Sequence, residues 1–122
     1  VSAPQPISLA DKLAGISDHW NPRIVAGYNG NELRLVKLAG DFTWHSHPDT
    51  DELFLVLKGQ MRILFRDGVA ELGEGDLLVV PRGVEHCPQA DAECHALLID
   101  REGEPNTGDT PSHRTRTTLE RA

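Results

Sequence analysis

Two histidines separated by one residue, His45 and His47, are followed five residues later by Glu52, and a fourth candidate, His86, lies far along the chain. On an extended strand, residues two apart point to the same face, so His45 and His47 are placed to grip one ion. Residues 48–51 (PDTD) read as a turn, and Glu52 opens the next strand, which sets a carboxylate beside the pair. His86 follows a Pro81-Arg82-Gly83 turn, so its arrival at the same place depends on the whole fold. Three imidazoles and one carboxylate suit a divalent first-row ion: Fe(II), Mn, Ni, Co or Zn. A histidine pair on a strand is also a common surface feature, and the glutamate and the P-x-G-x-x-H segment are what set this pair apart. His19, His95 and His113 have no such company and read as structural or exposed. Asp51 adjoins Glu52 and faces the opposite side of the strand.

The elements that must position these residues read as strands. Expected strands cover 23–28, 32–38, 42–46, 52–57, 60–66, 69–72, 77–80 and 94–100. Between them stand turn signals such as Asn29-Gly30, Lys58-Gly59 and Asp67-Gly68. Ser8 caps a short helix expected over 9–16, and residues 18–22 (DHWNP) end it. Many short strands with one weak helix indicate an all-β sandwich or barrel. The chain divides into an N-terminal segment (1–22), a β domain (23–100) and a C-terminal tail (101–122). The tail is rich in Thr and poor in large apolar residues. It is either flexible or laid across the domain or a partner subunit. Cys87 and Cys94 are too few for a disulfide framework and read as buried thiols.

Residues 40–59, GDFTWHSHPDTDELFLVLKG, and residues 75–86, GDLLVVPRGVEH, resemble the two motifs of the cupin superfamily. The step from Gly40 to His45 is one residue shorter than the common pattern. The position after three residues beyond His86, often Asn in the family, is Ala90. The resemblance extends over residues 23–100 and implies a small single-domain cupin. Such a protein would be a double-stranded β-helix (jelly-roll) barrel with a short N-terminal helix and an extended tail, commonly a homodimer. It would carry one divalent metal ion per chain, with His45, His47, Glu52 and His86 as the metal ligands.

Composition removes several other functions. The 122 residues carry a net charge of −7, all of it within residues 1–100, and no basic patch suits nucleic acid. No apolar run approaches the roughly 20 residues of a membrane span, and the first residues show no secretory pattern, so a cytoplasmic protein is expected. By strand parity Thr43, Phe54 and Val56 share the metal's side, and Met61, Ile63 and Phe65 form the apolar face of their own strand. Such walls favour a small, partly apolar molecule able to chelate. Trp44 points away from His45, and with Trp20 it is expected at strand edges where a dimer would form. The expected function is a metal-dependent enzyme on a small molecule, either a dioxygenase or a non-redox isomerase, lyase or cyclase. A non-catalytic small-molecule-binding or sensor protein is the alternative, and a storage role ranks behind both. Neither Glu85 nor His95 is well placed as a general acid or base, so no catalytic residue is assigned.

Overall fold

The computed structural model describes residues 3–116 and 118–122. Helix α1, Leu9–Ala14, begins where Ser8 accepts a hydrogen bond from the Asp11 amide at 3.2 Å, and it ends as Gly15 turns back onto the last carbonyls. The seven strands of the described residues are β1 (Arg23–Tyr28), β2 (Asn31–Asp41), β3 (Glu52–Lys58), β4 (Met61–Phe65), β5 (Gly68–Leu72), β6 (Leu77–Val80) and β7 (Cys87–Arg101). Asn29 and Gly30 both have positive φ (50° and 79°), the conformation that a two-residue hairpin between β1 and β2 requires.

Strand β7 is the spine of the sheet. One of its edges pairs antiparallel with β2 from Asn31↔Arg101 to Asp41↔Gln89, with a register shift between Leu38 and Gly40. Its other edge pairs with β3 near its C-terminal end and with β4 near its start. The long path reads β1-β2-β7-β3-β6, and the β4–β5 hairpin branches from it.

Two expectations are corrected here. The sheet does not close into a barrel: among the described strands β1 pairs only with β2, β6 only with β3 and β5 only with β4, so none of these three has a second strand partner. The expected strand over 42–46 is likewise not a strand, and its one ladder contact is an isolated bridge between His45 and His86. Around the site, Pro48 and Pro81 bring no amide hydrogen to a ladder, and the carbonyls of Thr43 and Val84 are turned to imidazole nitrogens instead of a neighbouring strand. The architecture is therefore a mostly β, cupin-like open sheet.

Apolar side chains fill both faces. On the site's side Val36, Leu38, Phe54, Val56, Met61, Ile63 and Leu98 form the main core with Trp20. On the other side Leu35, Leu97 and Ile16 are buried beneath Leu9 and Leu13 of α1. Trp20 is thus a core residue and not an edge one: it stacks on Phe42 at 4.8 Å and donates its indole N–H to the Ala39 carbonyl. Trp44 is half-buried beneath the Arg66 guanidinium, 3.8 Å from its ring centre. The last residues run back along β1, where Ile24 bridges Arg121. Among the described residues no helix is long and apolar enough to cross a membrane.

Candidate metal centre

The four candidate residues converge because two irregular segments are laid against each other at the mouth of the sheet. His45 and His86 exchange both backbone hydrogen bonds (3.0 and 2.9 Å), so the bridge sets their side chains together with ring centres 4.4 Å apart. The His47 carbonyl accepts from the Gly83 amide at 2.9 Å, which holds the second histidine against the turn that precedes His86. Glu52 opens β3 opposite Val80, the residue just before that turn. Every one of the four is buried, and one ligand atom from each lies within 4.8 Å of the others.

Their orientation suits a cation. His45 donates Nδ1–H to the Thr43 carbonyl (2.7 Å) and His86 donates Nδ1–H to the Val84 carbonyl (2.9 Å), which leaves the Nε2 of each ring to the cluster. Nε2 of His47 and Nε2 of His86 each stand 3.2 Å from the same Glu52 oxygen. His47 Nδ1 lies 3.5 Å from the Glu104 carboxylate. Neither nitrogen of this buried imidazole has an aligned hydrogen-bond partner. A buried polar group is normally paired, so the orphaned ring fits a site built around an ion.

The charge states of His45 and Glu52 agree with that fit. Burial, then the neighbouring His86, pushes His45 down to about 4, so it is neutral near pH 7. Burial opposes ionisation of Glu52, but the His47 and His86 imidazoles, each 3.2 Å from one of its oxygens, outweigh it and hold the carboxyl well below its ordinary range. Burial also pulls His47 down, and the Glu52 and Glu104 carboxylates more than offset this, so its pKa is raised. Neutral imidazole and ionised carboxylate are the forms that ligate a metal.

Residues 33–100 match the cupin domain family. The chain belongs to the cupin family. It is 43% identical to a cupin-2 domain protein of Shewanella frigidimarina NCIMB 400, with a TM-score of 0.78 over 79% of this chain and 94% of that one. Protein NMB1881 from Neisseria meningitidis is 35% identical, with a TM-score of 0.74 over 80% of this chain and all of that one. The uncharacterized protein YdbB of Bacillus subtilis (strain 168) is 41% identical over 63 residues, 51% of this chain, and the match spans only 56% of YdbB. The buried three-histidine, one-glutamate cluster of this cupin is consistent with a metal-dependent enzyme.

Other expected residues fall into place around this cupin's cluster. Phe54 packs edge-on to His86, and Phe65 lies 6.5 Å from the same ring. Thr43 Oγ1 lies 3.4 Å from Ser112 Oγ. Asp51 is exposed and accepts from the Arg82 backbone and side chain. His19 and His95 share the exposed Glu93 on the surface, and His113 is exposed. Glu85 pairs with Arg66 at the surface. Cys87 and Cys94 are buried and unpaired.

Three residues that the sequence reading passed over complete the centre: Arg34, Asp100 and Glu104. Arg34 is 1% exposed, donates to Glu32 at 2.7 Å and to Asp100 at 3.2 Å, and reaches the Glu104 carbonyl at 2.9 Å. Burial, then the charge of Glu52, raises Asp100 well above its ordinary value. Together with His45, Glu52, Phe42 and Phe54, Arg34 and Asp100 line a cavity of about 30 Å³. That is enough room for a small group the size of a water or two. A signal for Arg34 did exist, since it shares a strand face with the apolar Val36 and Leu38.

Proposed function

We propose that this protein is a metal-dependent enzyme acting on a small molecule, with one divalent first-row ion held by His45, His47, Glu52 and His86. The observation that carries the reading is the gathering of three imidazoles and a carboxylate within 4.8 Å, buried, with neither nitrogen of His47 in an aligned hydrogen bond among the described residues. Such an ion, when bound, polarises an oxygen donor or supports redox chemistry, depending on which metal is loaded. Glu52 and the Nε2 atoms of His45 and His86 would hold the ion beside the apolar walls of Phe42, Phe54 and Leu98. The narrow cavity supports a ligand that presents a small oxygen donor, such as a hydroxyl, carbonyl or carboxylate oxygen.

The test begins with elemental analysis of protein prepared without chelator. About one ion per chain is expected, and it should be lost in a His45→Ala, His86→Ala double variant. A metal-free preparation that takes up none of Fe(II), Mn, Co, Ni or Zn refutes the reading. Apoprotein loaded with each ion in turn is then offered β-diketones, catechols and 2-hydroxy acids. Oxygen uptake with Fe(II) alone marks an oxygenase, and substrate loss without oxygen marks a lyase, isomerase or cyclase. Binding without turnover under every metal marks a non-catalytic binding protein.

We further infer a cytoplasmic, symmetric homodimer. Supporting it is an apolar strip on the outer face, where Leu77 (61% exposed) and Val79 (45%) of β6 lie beside Leu55 and Leu53 of β3.

A further inference from the structure

We propose that the C-terminal segment 104–116, which lies beyond the residues matching the cupin domain, is a working part of the metal centre. Within it Gly108 and Asp109 are positioning residues that fix the spacing of His45 and His47 by clamping Ser46 between them. This rests on the reading of the four-residue cluster as a metal centre.

Ser46 spends all its polar groups on one residue of the tail. Its amide donates to Asp109 Oδ1 at 2.9 Å, its hydroxyl to Asp109 Oδ2 at 3.0 Å, and its carbonyl accepts from the Asp109 amide at 2.9 Å. No strand ladder does this work at Ser46, since residues 42–47 form no strand and their one bridge is at His45. Gly108 brings the tail close enough to act. Its φ is +56°, and a Cβ there would fall 2.0 Å from the Ser46 carbonyl oxygen and 3.2 Å from the His45 ring. No side chain fits without moving the backbone that carries both histidines.

The clamp is itself held rigid. Asn106 donates to the Arg114 carbonyl at 2.8 Å and accepts from the Arg116 amide at 2.6 Å, which closes the segment into a loop. The Thr107 and Thr115 hydroxyls meet at 2.7 Å inside that loop. Arg34 anchors its start by donating to the Glu104 carbonyl, and the Glu104 side chain stands against His47 Nδ1. A tail that merely covered apolar surface would need none of these contacts with the residue between two ligands. Outer partners of this kind set the orientation on which metal affinity depends.

The experiment uses the full chain, stripped of metal and titrated with Co(II) alone, whose visible absorption reports coordination geometry. Asp109→Ala and Gly108→Ala should weaken Co(II) binding by about 10–100-fold and change the absorption bands. Asp109→Asn should bind as the parent does, since its amide oxygen still accepts from the Ser46 amide and its Nδ2 can donate to the Ser46 hydroxyl. Should either disruptive variant fail to fold, Ser46→Ala loses only the hydroxyl contact and should bind Co(II) more weakly with shifted bands. Unchanged affinity and spectrum in the folded variants overturn the clamp while leaving the metal centre standing. A parent protein that takes up no Co(II), Zn(II) or Fe(II) overturns the metal centre and the clamp with it.

Discussion

Acidifying the metal-free protein should destabilise it through His45, and the size of the effect follows from where that ring sits. Burial, and then His86, hold its pKa near 4 against an ordinary 6.5. Below pH 6.5 the unfolded chain takes up a proton at this position that the folded chain refuses. The contribution is therefore fully present above pH 6.5 and is lost as pH falls towards 4. Each pH unit in that window costs about 1.4 kcal/mol, so the loss reaches about 2 kcal/mol near pH 5 and about 3 kcal/mol at its full extent. Against a typical stability of roughly 5–15 kcal/mol such a loss is easily measured. Urea unfolding in chelator, followed by tryptophan fluorescence across this range, provides the assay. The raised His47 titrates in the opposite sense, since its stabilisation is present at low pH and lost as pH rises through its folded pKa, and it is common to parent and variant. The difference between the parent and His45→Gln therefore reports chiefly on His45. The variant's stability should fall less steeply with acid. Parallel curves for the two proteins between pH 6.5 and 4 would refute the argument.

Arg34→Met should cost about 3–5 kcal/mol in urea unfolding at neutral pH, because it strands Glu32 and Asp100 without their cation. An equal stability would show that those acids are neutralised some other way. Sedimentation at micromolar concentration should give twice the chain mass, and Leu77→Glu should shift it to the monomer; a monomeric parent refutes the dimer.

Where the sequence was legible and where it was not follows from the range of the interactions. The Ser8 cap, the Asn29-Gly30 turn and the alternation of Glu52, Phe54 and Val56 are decided within a few residues, and each stands as read. The likeness to the cupin motifs pointed to the right family. The expected strand over 42–46 failed because its fate turned on Pro88 and His86, some forty residues away. Barrel closure failed for a related reason, since strand parity says which face a residue takes but not whether two edges meet. Trp20 was misplaced because a positive φ at a non-glycine residue tucks its ring under Phe42, and nothing local announces that. Arg34, Asp100 and Glu104 come together only when β2 pairs with β7 and the tail returns across them.

The charge balance at the centre explains why these acids are tolerated. Glu32, Glu52 and Asp100 are buried, and Glu104 is nearly so, yet within this group the one fixed cation is Arg34. A buried charge without a partner is expensive, so acids in such excess must be neutralised by protons or by a cation. The raised pKa of Asp100 is the first of these responses, and the raised pKa of His47 is another, since its imidazolium would offset Glu52 and Glu104. A divalent ion at the convergence of His45, His47, Glu52 and His86 would supply that charge directly and release His47 from proton holding. Metal binding and proton binding therefore compete for the same deficit. Uptake should release protons near neutral pH and weaken as the solution is acidified. The excess of buried carboxylate around the cluster thus fits an incoming cation, while Arg34 already pairs with two of the acids, Glu32 and Asp100.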